Sequence, residues 1–270
     1  LPGHTSFFIF AVGMLNFRNT NIFFIALLAI LIGVHIQYGL PIYIYPLLFV
    51  AYSLIVFWGC YYVCSNFFIK IVCKATIDKK EIAISFDDGP AENYTHQILA
   101  ILKAEEVKAT FFCIGNRIAG NEAILKLVQA DGHIIGNHSY SHHFWFDMYA
   151  AKKMQQDLKQ MDVEMERVTG LKPKLFRPPY GVTNPNLAKA IKNGGYTPVG
   201  WSVRSMDTVI KDGKKILEKI NQGIKPGAVF LFHDTSKNTL DILPQFIQEV
   251  KKRGYNIIPL DKLLALQPYA

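Results

Sequence analysis

Ile84-Ser85-Phe86-Asp87-Asp88-Gly89-Pro90 is the stretch on which the fold of this chain turns. From Glu81 to Phe86 the side chains alternate as those of a short buried strand do, and the Gly-Pro pair bends the backbone sharply away. Two adjacent carboxylates are thus left at the mouth of the strand. They repel each other and lose solvation there, which is costly unless a cation or a proton sits between them. The other ligands of such a cation must come from elsewhere in the chain.

Working outward, seven short apolar runs (82–86, 110–114, 134–136, 175–177, 197–201, 228–232, 256–258) alternate with amphipathic charged segments (95–105, 121–131, 150–169, 186–193, 214–222, 240–253). Strand alternating with helix predicts an α/β fold of parallel strands with helices outside. Fewer than 200 residues are few for eight such units, so a barrel with a missing or distorted segment fits better than a complete one. The unusual residues all fall just past a strand. Asp87 and Asp88 follow the first, His138 and His142 the third, Arg177 to Gly181 the fourth, Trp201 to Asp207 the fifth, and His233-Asp234 the sixth. In a parallel barrel those ends share one face, so distant segments are predicted to converge on one cleft.

His138-Ser139-Tyr140-Ser141-His142 has a spacing that on a helical turn would aim both imidazoles one way, toward a shared cation. Ser139 after the first histidine excludes the zincin pattern, so a general base must come from another segment. One carboxylate of the Asp87-Asp88 pair completes a two-histidine, one-carboxylate set, and the other is free to take a proton from water.

Phe86-Asp87-Asp88-Gly89-Pro90, His138-Ser-x-x-His142, Arg177-Pro178-Pro179-Tyr180-Gly181 and Leu231-Phe232-His233-Asp234 resemble the successive motifs of NodB-homology polysaccharide deacetylases, carbohydrate esterase family 4. Lys108-Ala-Thr-Phe-Phe112 and Gly132-His133-x-x-Gly136-Asn137-His138 fit as well, so the resemblance runs from about residue 81 to 260. It implies a distorted (β/α)7 barrel and a divalent metal, most often zinc, held by Asp88, His138 and His142. It also implies Asp87 as general base, His233 as general acid, and Arg177 as the group that orients Asp87. The backbone N–H of Tyr180 would meet the oxyanion, Leu231 would line the acyl pocket, and Pro178 and Trp201 would belong to the substrate wall. The fourth motif departs. The family shows Asp-x-x-Asp-Trp, with its first aspartate expected to tune the catalytic histidine, whereas here the run is Arg204-Ser205-Met206-Asp207-Thr208. Either Asp207 or Asp234 substitutes, or Arg204 points elsewhere, or activity is reduced.

The 270 residues are unevenly charged. Arg18 is the one formal charge before residue 70; without it the 29 basic residues become 28, against 21 acidic, for a net of +7 in the remainder. Apolar runs at 22–36 and 42–63 predict about two transmembrane helices, with 7–17 too short to span alone. The domains are accordingly read as 1–72, membrane region, and 73–270, NodB-like deacetylase domain. The lysines after the second run point to a cytoplasmic catalytic side by the positive-inside rule, while the family resemblance points to the envelope. The expected partners are an N-acetylated amino sugar, polymeric or lipid-linked, and membrane lipid. Nucleic acid is not expected, because no basic run is interleaved with stacking aromatics. Cys60, Cys64, Cys73 and Cys113 show no disulfide or zinc spacing and read as small apolar filler. The enzymatic reading is a hydrolase acting on an amide of an amino sugar; the reading from another class is a non-catalytic carbohydrate-binding protein.

Overall fold

Strand β1 (Glu81–Asp87) is buried along nearly its whole length, as a central strand of a parallel sheet must be when helices cover it. It pairs in parallel with β2 (Thr110–Cys113) on one side and β7 (Val229–His233) on the other, while β8 (Asn256–Ile257) joins its N-terminal end. With β3 (Ile134–Asn137), β4 (Leu175–Phe176), β5 (Thr197–Pro198) and β6 (Val203–Arg204), the order is β5-β4-β3-β2-β1-β7-β6, all parallel. The computed structural model describes residues 15–270, so most of the 7–17 apolar run lies outside the described residues. The sheet curls into the distorted barrel of parallel strands that the sequence predicts. Among the described residues the sheet has eight strands, one more than the seven apolar runs. The additional one, β6, has only two residues and no apolar run to announce it.

Six helices cover the sheet at the predicted places: α3 (Thr95–Ala104), α4 (Glu122–Ala130), α5 (Ala151–Thr169), α6 (Pro185–Gly194), α7 (Gly213–Gln222) and α8 (Lys237–Lys252). A short α9 (Leu260–Leu264) was not anticipated. The period of two sorts the β1 side chains. Ile82, Ile84 and Phe86 join the helix-side core, where Phe86 stacks on Phe111 at 4.9 Å and Phe230 packs on Phe246 at 4.9 Å. Ala83, Ser85 and Asp87 alternate with them toward the barrel interior, and their small size leaves room for Arg177, which is fully buried.

Ahead of the barrel stand α1 (Phe17–Tyr38) and α2 (Ile44–Tyr61), both long and apolar enough to cross a membrane. Their side chains are mostly outward and exposed, among them Ile25, Phe49 and Phe57. The 22 residues of α1 extend about 33 Å, close to the ~30 Å hydrocarbon thickness. The chain leaving α2 packs against the barrel. Phe67 fills the space beside Gly59, where an added Cβ would lie 2.3 Å from the ring. Val63, Ile71 and Cys73 then form a small core with Trp201 against it.

Cys64 and Cys73 are joined in a disulfide, which corrects the reading of these two cysteines as unpaired filler; Cys60 and Cys113 are free. The paired thiols are nine residues apart and meet because the intervening chain doubles back. Val72 bridges to Val199 at the end of β5, and Lys74 bridges to Ala228 before β7. The segment emerging from α2 therefore crosses the seam between the two ends of the curled sheet.

Candidate active site

Parallel register brings the chemistry together. Asp87 is paired with His233 at the ends of neighbouring strands β1 and β7. Across β2 and β3, Arg177 donates its backbone N–H to Asn137 O at 2.9 Å, which sets it beside His138. Every residue predicted for the site except Arg177 lines one cavity of about 210 Å³: Asp87, Asp88, His138, His142, Pro178, Tyr180, Trp201, Leu231 and His233. Arg177 lies beneath it. Its guanidinium donates to Asp87 Oδ1 at 2.7 Å, Ser85 Oγ at 2.8 Å, Gly200 O at 2.8 Å and Val199 O at 3.3 Å, with Phe112 4.0 Å below its plane. A buried guanidinium is tolerated when its donors are used in this way.

The turn after β1 is held from three sides. Asp88 adopts φ 76°, a left-handed value that aspartate tolerates better than most residues. Arg117 donates to the Asp88 carbonyl at 2.5 Å, and Ile114 N–H to the Gly89 carbonyl at 2.8 Å. Gly89 has no room for a side chain, since a Cβ would come within 2.0 Å of Asp234 Oδ2. That oxygen accepts from Thr95 Oγ1 at 2.7 Å, and burial pushes the Asp234 carboxyl up to about 7.

His138 and His142 lie on an irregular loop, not on a helical turn as their spacing suggests. Ser139 and His142 have φ 66° and 42°, and the loop is closed by Asn137 Oδ1 accepting from Ser139 N–H and Ser139 Oγ accepting from His142 N–H. Asp157 Oδ1 accepts from Tyr140 N–H. The outcome resembles what a helix would give: ring centroids 4.8 Å apart and both Nε2 atoms toward Asp88.

These three residues fit a divalent cation. Asp88 Oδ1 stands 3.4 Å from His142 Nε2 and 3.6 Å from His138 Nε2, and the three donor atoms lie within 4.8 Å of one another. Two ligands each about 2.1 Å from a tetrahedral zinc are separated by roughly 3.4 Å. His138 Nδ1 is 2.8 Å from the Arg177 carbonyl, which fixes the proton on Nδ1 and leaves the Nε2 lone pair facing Asp88. Burial and the neighbouring His138 hold His142 down to about 4, so its ring is neutral and able to ligate. Burial raises the Asp88 carboxyl, but His138, His142, His233 and Arg117 together outweigh it and hold it below its ordinary range.

The departure in the fourth motif is resolved by Asp207. Its Oδ1 is 2.7 Å from His233 Nδ1, and its Oδ2 accepts from the His233 backbone N–H at 2.7 Å and from Thr239 Oγ1. Burial disfavours a charged His233, yet the Asp207 carboxylate prevails and raises the ring to about 9. Asp207 is thus the member of the fourth motif that tunes the histidine, one of the alternatives that the sequence leaves open. Arg204 turns to Trp201, with Cζ 5.9 Å from the ring centroid. Tyr180, at φ 58°, places its ring 4.7 Å from His142 and its hydroxyl donates to His142 O at 3.3 Å. Of the nearby aromatics, Phe146 is core, whereas Phe144 and Trp145 are exposed at the rim. His133 is structural: its Nδ1 accepts from Ala109 N–H at 3.1 Å.

The sequence pattern of the family described as polysaccharide deacetylase matches residues 74–199. The peptidoglycan-N-acetylmuramic acid deacetylase PdaA of Bacillus subtilis is 34% identical over 190 residues, covering 69% of this chain and 72% of that protein. The peptidoglycan-N-acetylglucosamine deacetylase PgdA of Listeria monocytogenes is 33% identical over 202 residues, 75% of this chain but 42% of that longer protein. A solved peptidoglycan N-acetylglucosamine deacetylase superposes with a TM-score of 0.70 at 29% identity, covering 74% of this chain and 95% of that one.

Proposed function

Because this chain belongs to the polysaccharide deacetylase family, carbohydrate esterase family 4, we propose that it is a metal-dependent hydrolase removing N-acetyl, or similar N-acyl, groups from an amino sugar of a cell-envelope polysaccharide. The observation that carries the reading is the meeting of Asp87, Asp88, His138, His142 and His233 around one cavity. In this reading Asp88, His138 and His142 hold the metal, with zinc favoured by the nitrogen-rich donor set. A cation held there supplies Lewis-acid polarisation of the acyl carbonyl and acidifies water.

The protein's own groups do the rest. Arg177 ties down Asp87 Oδ1 and leaves Oδ2 to receive a proton from attacking water. His233, charged through Asp207, presents Nε2–H to the departing nitrogen, so the C–N bond breaks with a proton delivered to the amine. The backbone N–H of Tyr180 is assigned to the oxyanion. Leu231 is assigned to the acyl methyl, and Pro178 and Trp201 to the sugar wall. A non-catalytic sugar binder would not require an acid–base pair held by two further buried partners.

We assign residues 1–72 to membrane attachment and 73–270 to the deacetylase domain. α1 and α2 support a membrane anchor. The Cys64–Cys73 disulfide favours the oxidising, envelope side over the cytoplasmic one suggested by the lysines. A lipid-linked amino sugar is a second reading of the substrate, favoured by the end of α2 standing beside the cleft.

The test is acetate release from peptidoglycan by the zinc-loaded full chain in detergent, with Asp87→Asn as control. Turnover lost in Asp87→Asn with metal retained is the expected result. Undiminished hydrolysis in that variant would overturn the assignment.

A further inference from the structure

Beside the metal-ligand cavity lies a second one of about 440 Å³, and Tyr180, Trp201 and Arg204 line both. Its far wall is Tyr61 and Tyr62, where α2 ends, and Lys74 completes it. Two cations from separate segments face this space, and no carboxylate lines it. Arg204 is the more telling of the two. It is half-buried, its Nε is shielded from solvent with no hydrogen-bond partner, and among the described residues it makes no ion pair. Its contact with Trp201, 5.9 Å from Cζ to the ring centroid, leaves the in-plane donors unused. A half-buried guanidinium with no acceptor and no carboxylate partner among the described residues keeps its charge and its terminal donors for an anionic ligand in the cavity it lines.

The anion must also suit its setting. The cavity opens from the predicted acyl-transfer centre toward the end of an apolar helix, and Phe144, Trp145 and Met148 stand exposed on another side of Tyr180. Aromatic side chains at a helix end and around a rim suit the boundary of a bilayer. Because the two cavities adjoin through Tyr180, Trp201 and Arg204, a sugar bound at the metal-ligand cluster can extend a substituent into the one that Arg204 and Lys74 line.

Resting on the deacetylase reading above, we infer that the cavity between Arg204, Lys74 and the end of α2 is a subsite for a phosphate group esterified to the amino-sugar substrate. A planar fork and a point charge from two segments fit a multi-oxygen phosphate. The lipid end of a polyprenyl phosphate would then run toward α2.

The test uses the zinc-loaded full chain in detergent and in vesicles. Four substrates are compared: N-acetylglucosamine phosphate carried on a polyprenol, soluble N-acetylglucosamine 1-phosphate, a neutral N-acetylglucosamine oligomer, and N-acetylmuramic acid, which carries a carboxylate. Phosphorylated substrates are expected to exceed the neutral oligomer in kcat/KM by at least about tenfold, and Arg204→Gln to cut that ratio by about tenfold or more. Lys74→Gln, at an exposed position, keeps the test valid if the arginine variant fails to fold, and is expected to cut the ratio about threefold. A preference for the polyprenyl form over the soluble phosphate identifies a lipid source; equal rates identify any sugar phosphate. A wild-type ratio near one, a ratio that neither variant changes, or a preference for the carboxylate sugar overturns the inference. If no substrate is turned over, the deacetylase reading fails separately. Calorimetric titration of N-acetylglucosamine 1-phosphate then still decides the subsite: binding weakened in Arg204→Gln supports it, and equal binding in both proteins overturns it.

Discussion

Replacing Asp207 by Asn removes one charge and almost no volume, so it isolates what the carboxylate does to His233. With Asp207 in place the ring is raised to about 9, against an ordinary value near 6.5. That difference corresponds to about 3 kcal/mol in favour of the charged ring. Because the folded value is raised, the stabilisation is full below about 6.5 and is lost as pH rises through about 9. Without that carboxylate, burial acts on the ring against only the weaker pull of Asp87 and Asp88, and its value falls back toward about 6.5. If His233 is the general acid, its charged fraction at pH 8 then drops from roughly nine-tenths to about 3%, a loss of about 30-fold in rate. At pH 6 the same arithmetic gives a loss below about twofold. The assay is a pH profile of kcat/KM for wild type and Asp207→Asn with saturating zinc, alongside thermal melting over the same range. The alkaline limb should move toward neutrality, and the fall in stability that wild type shows between about 6.5 and 9 should be smaller in the variant. An alkaline limb left near 9, or an equal loss at both pH values, would refute the coupling of Asp207 to His233.

Other outcomes follow from particular contacts. Asp88→Ala should abolish stoichiometric zinc by elemental analysis, because two imidazoles alone make an incomplete site; Asp87→Asn should keep the metal and lose at least about 100-fold in turnover. Phe86→Ala should destabilise the barrel by about 3–5 kcal/mol in thermal melts, since the ring is fully buried against Phe111. Cys64→Ser should cost about 2–3 kcal/mol by the loop-closure estimate, read as a lower melting temperature that added reductant reproduces in wild type and leaves unchanged in the variant. Gly181→Ala should impair turnover, because Gly181 has φ 72° and an added Cβ would sit 2.6 Å from Trp201; a variant with wild-type kinetics would show that Trp201 yields freely.

Much of the site was legible because a parallel sheet places its chemistry at strand ends, where polar residues interrupt apolar runs. Asp87, His138, Arg177 and His233 announce themselves in this way. What escaped depends on contacts that leave no local pattern. The partner of His233 lies 26 residues away on a loop, and nothing in Arg204-Ser205-Met206-Asp207 says which side chain turns inward. The fold of the histidine loop rests on Asn137 and Asp157 and on two left-handed residues, so a helical spacing misidentified the backbone while giving the right convergence. β6 and α9 are too short for periodicity to register. The Cys64–Cys73 pair sits in a stretch whose apolar character masks covalent pairing.

The chain that leaves α2 is stitched into the barrel at several points. Thr183, two residues past Gly181, donates its backbone N–H to Cys60 O at 3.0 Å and its hydroxyl to Gly59 O at 3.1 Å, and Val72 lies across the seam against Val199. A protease cut or truncation just ahead of residue 73 would therefore not liberate an intact soluble enzyme. It would unzip the gap in the curled sheet and slacken the Arg177–Gly181 loop, so the segment leaving α2 behaves as a staple in the catalytic body and not as a leash.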